Sequence, residues 1–159
     1  MSKEKSYRLM NAQLEAILTG ETNVIANLSN AAALLYTSMP SINWAGFYFY
    51  DVEANNLVLG PFQGKVACVR IPIGKGVCGT AYETNQTHVV KDVNRFAGHI
   101  ACDSASQSEI VVPFQISETL KGVLDIDAPV TERFDDIDRQ YLEEFVQILV
   151  QHTGDRKNS

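Results

Sequence analysis

The chain has 159 residues, of which 45% are hydrophobic and 20% charged, with a net charge of −6. That is one soluble domain, long enough for a single core hiding roughly 70% of the unfolded surface, and it lacks the basic stripe that nucleic acid requires. Apolar runs are too short to span a bilayer, and Met1 to Lys5 lead into no apolar signal core, so no membrane contact is expected and the cytoplasm is the expected compartment.

Helical spacing runs from about Tyr7 to Thr37, and Thr19-Gly20-Glu21-Thr22 divides it into two helices with a stop and then a capping candidate. The second helix, through Leu28, Ala31, Ala32 and Leu35, has an apolar stripe suited to one face of a sheet. From Ile42 the pattern turns strand-like. Trp44 to Tyr50, Asn56 to Phe62 and Ala67 to Ile71 read as an antiparallel meander, with Asp51-Val52-Glu53-Ala54-Asn55 as the first turn. A short helix from about Val77 to Thr84 follows, then an irregular stretch from Val93 to Ser106 carrying Gly98, His99 and Cys102. Glu109 to Ile116 and Lys121 to Asp127 form two more strands, joined at Ser117-Glu118-Thr119. An amphipathic helix from about Asp135 to His152, capped by Asp135 or Asp136, precedes a polar tail at 154–159. Helices before and after an antiparallel sheet predict an α+β fold, one domain over residues 1–159.

The three cysteines, Cys68, Cys78 and Cys102, form an odd set in a chain expected in a reducing compartment, which favours working thiols over structural staples. Burial as small hydrophobes is the competing reading for each. Gly74-Lys75-Gly76-Val77-Cys78-Gly79 spells a dinucleotide fingerprint, but its setting is a meander and not a βαβ unit, so it reads as a tight strand-to-helix turn. Cys78 then falls in the first helical turn, where the dipole and unpaired N–H groups are expected to favour a thiolate.

Strand parity separates two faces at the C-terminal hairpin. Ile110, Val112, Phe114, Ile116, Leu124 and Ile126 share an apolar face, while Glu109, Asp125 and Asp127 share the other, with Glu109 roughly opposite Asp127. Exposure to water would explain such acids simply. On a covered face, a cluster of three calls for a cation or ammonium group among them, or for an acid that keeps its proton. The first strand splits likewise, Trp44, Tyr48 and Tyr50 against Phe47 and Phe49. Trp44 and Tyr48 suit either the core or the wall of an apolar pocket with polar tips. His88, His99 and His152 are scattered and form no close ligand pairs with the cysteines, so no metal is expected.

Several motifs together resemble the GAF-domain free methionine-(R)-sulfoxide reductases over nearly the whole chain. They are Asn43-Trp44-Ala45-Gly46-Phe47-Tyr48, the string from Leu57-Val58-Leu59-Gly60-Pro61-Phe62-Gln63-Gly64 through Cys68, the Gly74 to Glu83 block, Gly98-His99-Ile100-Ala101-Cys102-Asp103, Ser108-Glu109-Ile110-Val111-Val112-Pro113 and Gly122-Val123-Leu124-Asp125-Ile126-Asp127. The order of the three cysteines combined with the three acids is what resembles the reductases and not GAF domains in general. The resemblance implies a GAF-like fold and an enzyme that needs no cofactor. It implies Cys102 as the nucleophile that becomes a sulfenic acid, and Cys68 and Cys78 as the other two catalytic cysteines, one of which condenses with it to a disulfide. It further implies Glu109, Asp125 and Asp127 as ligands of the substrate ammonium and proton donors to the sulfoxide oxygen, Trp44 and Tyr48 as the wall for the methyl-sulfur end, and thioredoxin as reductant. A homodimer is compatible with all of this. The alternatives are a GAF sensor that binds a small ligand without turnover and a thiol redox switch that yields no methionine.

Overall fold

A computed structural model describes residues 1–100, 102 and 104–154. Two helices, α1 (Lys3–Leu18) and α2 (Val24–Ser38), lead into β1 (Trp44–Asp51), β2 (Asn56–Gly64) and β3 (Arg70–Pro72). Helix α3 (Gly76–Thr84), β4 (His88–Val90) and a 3-10 turn (Val93–Arg95) follow, then β5 (Ser108–Gln115), β6 (Lys121–Ala128) and α4 (Asp136–His152). The six strands form one antiparallel sheet in the order β3-β2-β1-β6-β5-β4. The expected α+β architecture is therefore present.

Local chemistry fixes the helix ends. The Asn23 side chain accepts from the Ala26 N–H at 2.9 Å and starts α2, one residue beyond the expected Thr22. Asp135 and Asp138 close a reciprocal capping box on α4. Asp138 is fully buried, and it also takes a hydrogen bond from the Tyr7 hydroxyl and ion pairs from Lys3 (2.6 Å) and Arg133 (3.4 Å). This knot ties the start of α1 to the start of α4.

Alternation divides the core into two. Phe47, Ile110, Val112, Phe114, Leu124 and Ile126 pack under α1, α2 and α4. Trp44, Tyr48, Val111 and Val123 occupy the opposite face with Cys78 and Val77 of α3. The parity reading of β1, β5 and β6 thus holds residue by residue.

One expected strand is shorter than its sequence pattern, and one observed strand has no counterpart among the expected elements. The third strand is only Arg70–Pro72, so Ala67, Cys68 and Val69 lie in the loop before it. The Tyr48 hydroxyl donates to Cys68 O at 2.8 Å, and the Leu59 N–H of β2 donates to Val69 O at 2.9 Å. Strand β4, at the sheet edge against β5, is three residues long, too short to show a period in the sequence.

Candidate active site

The face of the sheet away from α1, α2 and α4 carries a cavity of about 50 Å³, floored by β1, β5 and β6 and walled by α3 and by Val66, Ala67, His99, Ile100, Cys102 and Ser106. One water needs ~10–15 Å³ on this measure, so the space holds about four. Trp44, Tyr48, Cys78, Cys102, Glu109, Asp125 and Asp127 all line it. Cys68 stands beside it, next to the lining residue Ala67 and packed on the same core.

Register places the acids. Glu109 pairs with Asp127 across β5 and β6, and on the other side of β6 Asp127 pairs with Trp44 and Asp125 with Gly46. Glycine at 46 permits a close approach: a Cβ there would stand 2.8 Å from the Trp44 ring and 2.9 Å from Phe62 Cα. Trp44 instead stacks between Phe62 (5.2 Å) and Tyr48 (5.9 Å).

The face is not open to water. Glu109 is 8% and Asp125 6% exposed, which removes solvation as the simple explanation of the cluster. Burial, and then the charge of Asp127, hold the Glu109 carboxyl well above the ordinary carboxylate range; burial and then Glu109 do the same for Asp125. Asp125 also keeps Oδ1 buried without a hydrogen-bond partner.

The cysteines divide into a bonded pair and a lone thiol. Cys68 and Cys102 form a disulfide with Cα atoms 5.5 Å apart. Cys78 is free and buried, its Sγ 3.8 Å from Glu109 Oε2. Here the expected thiolate is overturned. Although Cys78 does sit in the first turn of α3, burial, followed by the charges of Asp125, Glu109 and Asp127, pushes its thiol well above the usual range. Desolvation and three nearby acids outweigh one helix terminus.

The glycine-rich block is the expected turn. Gly74 (φ +79°) and Gly76 (φ +61°) both need the left-handed region, and the Gly76 N–H donates to Gly98 O at 3.0 Å. That bond brings the segment leading to Cys102 against the start of α3. Ile100 packs close to Gly76, and His99, whose buried Nδ1 has no partner, joins the cavity wall. His99 belongs to the Gly98 to Asp103 motif, but its scatter relative to the other histidines gives no role in the sequence; its place three residues before Cys102 is the signal that puts it in the wall. Ala101 and Asp103, part of the Gly98 to Asp103 motif, lie outside the described residues.

The polar tips of Trp44 and Tyr48 both bond to the loop beside the cavity. Trp44 Nε1 donates to Lys65 O at 3.1 Å and the Tyr48 hydroxyl to Cys68 O. Together they moor the loop that carries Cys68.

The sequence pattern of the GAF domain matches residues 13–152. A free methionine-R-sulfoxide reductase of Escherichia coli strain K12 is 53% identical over 149 residues, 94% of this chain and 89% of that protein. The protein of the same name in Saccharomyces cerevisiae is 47% identical, across 94% of this chain and 86% of its own length. Among solved structures, the free methionine-R-sulfoxide reductase of Neisseria meningitidis in complex with its substrate superposes with a TM-score of 0.90 at 44% identity, covering 96% of this chain and 90% of that one.

Proposed function

This chain belongs to the GAF-domain free methionine-(R)-sulfoxide reductases, and on that premise we propose that it reduces free L-methionine-(R)-sulfoxide to L-methionine through Cys102 and Cys68. The observation that carries the reading is a Cys68–Cys102 disulfide beside a cavity whose floor holds three acids. A disulfide is what two thiols become after reducing one sulfoxide.

The electron count is simple. Cys102 attacks the sulfoxide sulfur, the S–O bond breaks, and oxygen passes to Cys102 as a sulfenic acid while methionine leaves as the thioether. The Cys68 thiol then displaces that oxygen as water and forms the disulfide. An external dithiol, which we assign to thioredoxin, restores both thiols with two electrons and two protons. Such recycling suits a reducing cytoplasm. Cys68 is the resolving cysteine in this scheme. Cys78 stays protonated among the acids and serves as part of the pocket.

Glu109 and Asp125 hold protons to higher pH than exposed carboxyls, so one of them can protonate the departing oxygen near neutrality. The remaining negative charge, with Asp127, takes the substrate ammonium through charge-assisted hydrogen bonds. Trp44 and Tyr48 flank the methyl-sulfur end. The amine at one end and Cys102 at the other align the oxygen for a single epimer.

The test is a single-turnover experiment on reduced protein with free methionine-(R)-sulfoxide. One methionine per chain should appear with loss of two thiols, and Cys102→Ser should give none. Loss of thiols to peroxide with no methionine formed from the sulfoxide would instead mark a redox switch and end this reading.

A further inference from the structure

The same acids have a thiol among them that the reduction chemistry leaves unused. Cys78 Sγ, one Glu109 oxygen and one Asp125 oxygen all lie within 4.8 Å of one another, and all three residues are buried. Cys78 and Glu109 are already 3.8 Å apart. Around a tetrahedral zinc, bonds of ~2.3 Å to sulfur and ~2.1 Å to oxygen set ligand atoms roughly 3.4–3.6 Å from each other. Gathering the three therefore asks for side-chain shifts of at most roughly 1.4 Å, from the same bond lengths. A second observation points to a ligand: Asp125 Oδ1 is buried, lines the cavity and has no hydrogen-bond partner. Buried polar atoms without partners are uncommon and call for an occupant.

We infer that Cys78, Glu109 and Asp125 form a site for one thiophilic divalent cation of the zinc class, with its fourth position open to the cavity. One thiolate and two carboxylates make a mixed donor set of intermediate softness, which suits zinc better than calcium or magnesium. Binding releases to the buffer the Cys78 proton and whatever protons Glu109 and Asp125 hold, and sulfur and the two carboxylates then donate to the ion. A bound ion takes the carboxylate oxygens that the proposed function gives to the substrate ammonium. It would therefore act as a competitive inhibitor; that consequence, unlike the site itself, rests on the proposed function.

The oxidised protein isolates the claim, because with Cys68 and Cys102 joined the chain has a single free thiol. Cobalt(II) is the probe. Titration of the oxidised chain should give one saturable site and a sulfur-to-cobalt charge-transfer band in the near ultraviolet, both displaced by zinc. Cys78→Ser should remove the band. Asp125→Asn should keep the band but weaken binding at least about tenfold, since even a partner behind a metal ligand is worth 10- to 100-fold. Cooperative thermal unfolding of both variants shows that they are folded. Absence of a saturable site in the parent, or an undiminished band in Cys78→Ser, would overturn the inference. The readout involves no turnover, so a protein that binds cobalt through Cys78 but makes no methionine would contradict the reductase and leave the metal site standing.

Discussion

Replacing Tyr48 with Phe separates two roles that share one side chain. The ring, 2% exposed, keeps its place beside Trp44, while the hydroxyl that donates to Cys68 O at 2.8 Å is removed. Loss of such a bond costs about 0.5–1.5 kcal/mol. If that free energy is spent holding the Cys68 loop in reach of Cys102, disulfide closure should slow by roughly 2- to 13-fold, taking RT as ~0.59 kcal/mol. The first methionine should be released at nearly the parent rate, because that step uses Cys102 and the acids but not Cys68 or the hydroxyl that holds its loop. Rapid mixing with sulfoxide resolves the two events: methionine by quenched chromatography, and the sulfenic acid by trapping with a carbon nucleophile, which should rise in the variant. Slower methionine release with unchanged disulfide closure would refute the mooring role and leave Tyr48 as pocket wall alone.

Cys68→Ser should release one methionine per chain and then stall with thioredoxin, accumulating trappable sulfenic acid; normal cycling would show that Cys68 does not resolve. Asp125→Asn should stabilise the fold increasingly as pH rises. The carboxyl is held above its unfolded value of ~3.9, so the folded chain keeps a proton that the unfolded chain loses, and parent stability falls as pH climbs above ~4. An amide has no such loss, so thermal unfolding should favour the variant at pH 8 and converge near pH 4, with roughly 2–4 °C for each kcal/mol. The opposite pH trend would show Asp125 ionised in the fold. Asp138→Ala strands Arg133 and Lys3 at the α1–α4 knot and should cost about 3 kcal/mol or more, or roughly 6–12 °C. Unfolding within a degree of the parent would contradict it.

Parity carried most of what the sequence revealed. Glu109, Asp125 and Asp127 sit on odd positions of two strands joined by a short turn, so their meeting on one face follows from a period of two. The same rule separated Trp44 and Tyr48 from Phe47 and Phe49. What escaped was decided across space. The loop holding Cys68 resembles a strand in composition, but Cys68 O accepts from the Tyr48 side chain and not from a strand backbone. The helix position of Cys78 was legible; the acids that reverse its titration come from β5 and β6, on strands that precede no part of α3. Asn23 took the cap from Thr22 because either polar side chain suits that position, and only the backbone direction chooses.

The carboxylate floor is the centre of the account, and substrate discrimination tests it most directly. Free L-methionine-(R)-sulfoxide, its S epimer and the N-acetylated R form are compared at equal concentration, following methionine or acetylmethionine. An amide nitrogen cannot replace an ammonium among Glu109, Asp125 and Asp127, and hydrogen bonds to a charged group are worth about 1.5–3 kcal/mol. Acetylation should therefore lower kcat/KM at least about tenfold, and the S epimer should yield little product. Comparable rates on all three would contradict the account, even if Cys102 proved essential.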